Sequence, residues 1–280
     1  MNIGFIGSSG SFSTLALQYL LDSEHSLSFV ACDGCSNDSR FPIINDSVES
    51  LAMQYGITCI NLEQPLAKVL SKLKSQVIDI ILVACYGKKV PQEILALPLW
   101  GCVNLHPSLL PAFRGPVPIF WQFKEAATLG ISLHTMTSHI DAGAIISQKS
   151  VSLEDGLSQQ QIFSQLIQAG LPLIEQLLDD PQQALQNAQQ QDERLASNMS
   201  YPIASDFAID CAWSCQRIFN YMRASTHFQQ AYSVLLNNEI VFLSRAISYQ
   251  MKLPQETITL ADDEIIIPCS NGFVLAQLSV

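Results

Sequence analysis

Basic residues are scarce in this chain. Lys and Arg together number 14 against 25 Asp and Glu, a formal net charge of −11 over 280 residues. Such a surface repels polyanions as a whole, so any nucleic-acid contact needs a local basic patch. Long apolar runs are missing too: none reaches the ~18 residues of a membrane-spanning helix, and no membrane partner is expected. The opening Met1-Asn2-Ile3-Gly4 carries no basic segment before its first apolar run, so no secretory leader is expected and a cytoplasmic location follows by elimination. Cysteine occurs eight times without a disulfide-like pattern, several times inside apolar runs, as in a reduced chain. Cys32-Asp33-Gly34-Cys35 has zinc-like or redox-like spacing. It lacks a matched second pair and a nearby His, and Cys211 and Cys215 stand i, i+4 in a helical pattern, so no metal is expected. A Gly-x-Gly-x-x-Gly fingerprint is also absent. Gly7-Ser8-Ser9-Gly10 reads first as a tight turn between strand and helix, although N–H groups at a helix start can hold an anion.

What the chain does have is sustained alternation of strand and helix. Apolar strands at 3–7, 27–32, 57–60 and 77–84 are separated by amphipathic helices near 15–21, 47–55 and 66–73. The stretch 77–84 is apolar almost throughout, as a strand buried on both faces must be. The expected fold class is therefore α/β, a doubly wound, mostly parallel sheet. Further strands are expected at 102–106, 131–137 and 144–151, with helices at 116–127 and 158–178. Residues 181–200 turn Gln-rich and apolar-poor and read as a linker between a first domain, 1–180, and a second, 201–280. The second is expected to be small, β-rich and barrel-like, with one helix at 211–222 and β segments at 231–236, 240–249, 257–260, 264–268 and 272–278. Asn237-Asn238 reads as a hairpin turn.

The chemistry-bearing stretch lies at 102–143. Asn104 and His106 stand two apart on a strand and so share a face, where an amide and an imidazole can address one small group. Pro107-Ser108-Leu109-Leu110-Pro111 braces the loop that follows, then come Arg114-Gly115 and, after the next strand, Asp141-Ala142-Gly143. His134 reads as structural, His139 as a loop residue, and His25 and His227 as surface residues.

Taken together, Asn104-Leu105-His106-Pro107-Ser108-Leu109-Leu110-Pro111, Arg114-Gly115 and Asp141-Ala142-Gly143 resemble the folate-dependent formyltransferase family, which includes methionyl-tRNA formyltransferases and amino-sugar N-formyltransferases. The resemblance implies the formyltransferase fold, 10-formyltetrahydrofolate as formyl donor, a primary amine as acceptor, no metal, and a catalytic trio of Asn104, His106 and Asp141. Formyl transfer passes through a tetrahedral oxyanion, which an amide N–H stabilises by ~3 kcal/mol. The amine must lose a proton and the departing nitrogen gain one, a task an imidazole suits. The resemblance further places the pterin between the loop Tyr86, Gly87, Lys88, Lys89, Val90 and the Asp141 loop with Ile140, while Leu109, Leu110 and Pro111 wall the folate pocket. Gly7, Ser8, Ser9, Gly10, Arg114 and Gly115, with Phe120 and Trp121, are candidates to meet the acceptor.

The acceptor stays open. The methionyl-tRNA enzymes carry a long basic insertion after the second strand, whereas residues 33–41 hold Arg40 as their one basic residue. The second domain has Arg217, Arg223, Arg245 and Lys252 against seven acidic residues. Every phosphate left without a cationic partner weakens a tRNA complex, so a smaller or carrier-bound amine, such as a nucleotide-linked amino sugar, is favoured over methionyl-tRNA. Two other readings remain. A formyltetrahydrofolate hydrolase would send the group to water, but such relatives carry an added N-terminal domain, for which the residues before Ile3 leave no room. A non-catalytic folate binder would have little need of the intact trio.

Overall fold

The computed structural model describes residues 1–33, 47–252 and 260–279. The chain forms two compact units, the first Met1–Pro118, Thr128–Ser152 and Phe163–Met199, the second Ile119–Ala127, Leu153–Ile162 and Ser200–Val280.

The elements are, in chain order, β1 (Asn2–Gly7), α1 (Ser11–Asp22), β2 (Ser26–Cys32), α2 (Val48–Gln54), β3 (Cys59–Asn61), α3 (Leu66–Leu73), β4 (Ile80–Ala84), α4 (Gln92–Leu95), β5 (Cys102–His106), α5 (Pro118–Lys124), β6 (Gly130–Thr135), β7 (Ile145–Ser150), α6 (Gln159–Asp179) and α7 (Pro181–Gln186). The strands of the first unit form one sheet in the order β3-β2-β1-β4-β5-β6-β7. β1 to β5 run parallel, and β6 and β7 are antiparallel additions at one edge. The chain leaves β1 toward β2 and leaves β4 in the opposite direction toward β5, so the loops after β1 and β4 diverge and open the crevice typical of such sheets. Ser13 ties the two loops together, accepting from the Ser8 N–H at 3.2 Å and donating to the Ala84 carbonyl at 2.7 Å.

Side chains alternate across β5 and β6, and this alternation creates the site. Leu105 and Ile131 face α6, which approaches so closely at Gly170 that a Cβ there would stand 2.7 Å from Ile131 Cδ1 and 3.0 Å from Leu105 Cδ2. Asn104, His106, Ser132 and His134 take the opposite face.

The segment expected to be a linker is built into the first unit instead. Its 181–186 stretch is α7, and its remainder bridges Ile145 through Gln189 and Arg114 through Asn198. Glutamine runs resemble linkers because they lack apolar periodicity. Here the Gln191 amide is bonded to two backbone carbonyls and a guanidinium, partners that composition does not reveal.

The second unit holds α5, β8 (Ala208–Ile209), α8 (Cys215–Ser225), β9 (Tyr232–Leu236), β10 (Glu239–Gln250), β11 (Glu264–Cys269) and β12 (Gly272–Leu278). Its five strands pair in the order β11-β12-β10-β9-β8. Asn237 and Asn238 both have positive φ, 49° and 66°, as a two-residue hairpin turn requires. Phe120 of α5 is 2 % exposed and packs edge-on against Tyr221 and Phe228, with Phe207 tilted beside it. That aromatic packing claims α5 for the second unit, although its sequence position suggested the first, and it takes Phe120 away from any acceptor. Trp121 is likewise engaged, donating from Nε1 to the Ser200 carbonyl at 2.9 Å.

The second helix starts at Cys215 because Ser214 caps it, accepting from the Arg217 N–H, so Cys211 precedes the helix and does not lie on its face. His227 is half-buried. Its ring is tilted 43° against that of Phe228 with centroids 4.0 Å apart, and burial lowers its pKa to about 4. Most of the expected strand 257–260, and the 34–41 stretch with Cys35 and Arg40, lie outside the described residues.

Gly170→Val should overpack the α6–sheet contact and lower unfolding free energy by about 1–3 kcal/mol, measured by urea titration of the purified protein.

Candidate active site

Asn104 and His106 lie on β5, and antiparallel pairing sets His134 directly opposite Asn104 and Ser132 opposite His106. The loop after β6 then folds back over this face. Gly143 makes the return possible: a Cβ there would fall 1.7 Å from the Thr135 carbonyl oxygen, so only glycine fits. The fold-back holds Asp141 at φ 51°, a left-handed conformation that costs a non-glycine residue about 1–2 kcal/mol. In return its carboxylate reaches both strand residues. Oδ2 lies 3.6 Å from His106 Nδ1 and accepts from the Gly115 N–H at 2.8 Å. Oδ1 lies 3.5 Å from Asn104 Nδ2.

Two backbone carbonyls decide the chemistry of the imidazoles, because a carbonyl only accepts. His106 Nε2 is 3.0 Å from the Phe113 oxygen and therefore carries the hydrogen, leaving the lone pair of neutral His106 at Nδ1, toward Asp141. At 3.6 Å that carboxylate lies beyond hydrogen-bond range and faces Nδ1 as a charge. His134 Nδ1 is 2.8 Å from the Thr135 oxygen and likewise donates. Its Nε2 must then accept, and it does so from Asn104 Nδ2 at 3.1 Å. Neutral His134 thus fixes which way the Asn104 amide points. Burial, followed by the nearby His106, lowers the His134 pKa to about 4, which keeps it in this accepting form near neutrality.

His134 read as structural from sequence alone. Only the register of β6 against β5 puts positions 132 and 134 on the face of 104 and 106, and no local pattern gives that register.

The remaining expected site residues divide. Arg114 is 4 % exposed and directed inward. Gln191 accepts from its Nε at 3.0 Å and Nη2 at 2.8 Å, and Glu193 accepts from Nη1 at 3.0 Å and Nη2 at 2.7 Å. Four of its five N–H donors are thus taken by these two side chains. The Gly115 N–H is spent on Asp141. Gly115 is required because φ is +119° and a Cβ would stand 2.1 Å from the Met199 oxygen. Ser8 of the first turn gives its N–H to Ser13, so the turn is internally bonded, while Ser9 is exposed. Gly87, Lys88 and Lys89 are exposed, with Lys88 paired to Glu63. Val90 is buried in a core cluster against which Tyr86 packs. Ile140, beside Asp141, is 64 % exposed and offers an apolar surface to a flat ring. Leu110 is 3 % exposed, its N–H donating to Ser132 Oγ and its carbonyl accepting from Gln148. Leu109 sits against Gly130, and Pro111 is half-buried after a cis peptide bond. The loop therefore braces the site from behind. Among the described residues no group of three or more His, Cys, Asp or Glu side chains is placed to hold a metal ion.

A doubly wound sheet thus carries an amide, two imidazoles and a carboxylate in one cluster, groups capable of acid–base chemistry. Residues 44–176 match the family model described as formyl transferase. The methionyl-tRNA formyltransferase of Geobacter metallireducens is 27 % identical over 232 residues, covering 82 % of this chain and 75 % of that protein. The bifunctional polymyxin resistance protein ArnA of Wigglesworthia glossinidia brevipalpis is 32 % identical over 204 residues, 72 % of this chain but 31 % of that one. An N-formyltransferase from Helicobacter canadensis, solved with folinic acid and dTDP-3-aminofucose, superposes with a TM-score of 0.70 at 17 % identity, covering 100 % of both chains. The match over residues 44–176 and these relatives support a place for the chain among the folate-dependent formyltransferases.

A neutral buried imidazole whose folded pKa is depressed contributes stability above its unfolded pKa near 6.5, and this is lost as pH falls toward about 4. For His134 the contribution is on the order of 3 kcal/mol. Unfolding free energy measured from pH 7 to pH 4 should fall, and His134→Gln should flatten that fall by about one proton's slope.

Proposed function

We propose that this protein transfers the formyl group of 10-formyltetrahydrofolate to a primary amine, with Asn104, His106 and Asp141 as its catalytic residues. The observation that carries the reading is the cluster itself: the Asn104 amide, the His106 lone pair at Nδ1 and the Asp141 carboxylate meet on one sheet face, 3.5 Å and 3.6 Å apart.

The amine attacks the formyl carbon, forming a C–N bond as the carbonyl becomes an oxyanion. The Asn104 N–H not used by His134 has only the long contact to Asp141 and is the donor available to that oxyanion. The attacking nitrogen gives up a proton, which His106 Nδ1 accepts beside the Asp141 charge. The tetrahedral centre collapses by breaking the bond to the folate nitrogen, which leaves with a proton returned by the imidazolium. Proton count and charge balance over the cycle.

For the donor, exposed Ile140 offers a face to the pteridine, and the exposed Gly87-Lys88-Lys89 loop lies after β4, at the divergence of the sheet. For the acceptor, the scarcity of basic residues favours a small or carrier-bound amine, with a nucleotide-linked amino sugar as its type. The ligands of the Helicobacter canadensis enzyme support this preference. The methionyl-tRNA formyltransferase relatives support tRNA as the competing acceptor.

Incubation with 10-formyltetrahydrofolate and a panel of amines, including nucleotide amino sugars and methionyl-tRNA, followed by product mass, tests the reading. Formyl transfer to an amino sugar is expected. Preferential formylation of methionyl-tRNA, with a steep fall in binding as salt rises, would reverse the acceptor preference. His106→Ala should abolish turnover while donor binding, followed by fluorescence, persists. Asn104→Ala should lower kcat by about 100-fold or more.

A further inference from the structure

We propose that Gln191 is a positioning residue for the Asp141 carboxylate, an inference that rests on the catalytic reading above. Asp141 is held at φ 51°, and a left-handed aspartate persists only where its surroundings over-determine it. The side-chain amide of Gln191 supplies that determination. Its Nε2 donates to the Asp141 carbonyl at 2.7 Å and to the Gly143 carbonyl at 2.7 Å, clasping the loop on both sides of Ala142. Its Oε1 accepts from Arg114 Nε at 3.0 Å and Nη2 at 2.8 Å. One amide thus has both ends engaged, and its orientation is fixed, since a guanidinium only donates and carbonyls only accept.

Arg114 in turn cannot drift. It is 4 % exposed, pairs with Glu193, and its backbone is bonded to the segment that carries Gln191, N–H to the Ser197 oxygen at 2.9 Å and carbonyl from the Met199 N–H at 2.8 Å. The next residue, Gly115, donates its N–H to Asp141 Oδ2 at 2.8 Å. The carboxylate is therefore gripped from two directions by one assembly: its backbone through Gln191 and its side chain through Gly115, with Arg114 joining the two. Gln191 touches none of the reacting groups and works through Asp141.

Gln191→Met keeps the length and volume of the side chain but removes both hydrogen-bonding ends. Gln191→Glu keeps the acceptor for Arg114 and turns a carboxylate toward the two carbonyls. In both, kcat for formyl transfer should fall at least tenfold, KM for donor and amine should stay within about twofold, and the pH–rate profile should shift as Asp141 leaves His106. Exchange protection of the Gly115 amide, read by NMR, should drop at least tenfold while that of β4 amides is unchanged. This second readout reports the carboxylate's position without any turnover. Unchanged kcat and pH profile per folded molecule would overturn the proposal, as would a lower kcat with Gly115 still protected, because then the carboxylate has not moved. If the parent protein transfers no formyl group, the catalytic reading fails, and Gly115 exchange alone decides whether Gln191 places Asp141: retained protection in Gln191→Met rejects it.

Discussion

A buried guanidinium must have its donors met, and the arrangement of the first unit follows from how Arg114 meets them. With 4 % exposure the side chain cannot rely on water. Gln191 and Glu193 satisfy it, and both come from a segment far along the chain. Once that segment is fastened, the spare end of the Gln191 amide faces the Asp141 loop. The loop's unfavourable backbone at Asp141 is then offset by two short bonds to its carbonyls. Glu193 remains largely open to solvent, and its hydrogen bonds to Arg114 hold its carboxyl below the usual range. One amide side chain joins the Arg114 anchor to the Asp141 loop.

The same economy governs the two imidazoles. Each is handed its tautomer by a backbone carbonyl, Phe113 for His106 and Thr135 for His134, and the two outcomes differ in use. His106 is left with a lone pair facing a carboxylate, suited to taking a proton. His134 is left with a lone pair facing an amide N–H, suited to orienting a neighbour. Their environments separate them further, since burial keeps His134 neutral. A pair of like side chains about 6.3 Å apart by ring centroid thereby presents different ring nitrogens to the cluster.

Small residues permit the approach of these groups. Gly143 lies on the Thr135 carbonyl, Gly115 under the Met199 carbonyl, and Gly170 against Ile131 and Leu105. The first two bring the loops to the site, and the third seats a helix on the opposite face of the same strands. The Asp-Ala-Gly and Arg-Gly pairs of the sequence are, in this light, steric requirements beside chemical ones.

Local pattern alone determined much of this protein. Period-two alternation and unbroken apolar runs marked β1, β4, β5 and β6, asparagine pairs marked the hairpin, and Asn104, His106 and Asp141 stood out through motifs that resemble a known family. What the sequence could not disclose is pairing across distance. Whether His134 is structural or part of the site depends on the register of β6 against β5, and a shift by one residue would turn it to the other face. Phe120 reads as a ligand-facing aromatic until Tyr221, Phe207 and Phe228 close around it. Arg114 reads as a ligand-binding cation until its donors find Gln191 and Glu193. Those two lie in a glutamine-rich stretch with no periodicity to betray a role, because a polar side chain's partner is set by geometry and not by its neighbours in the chain.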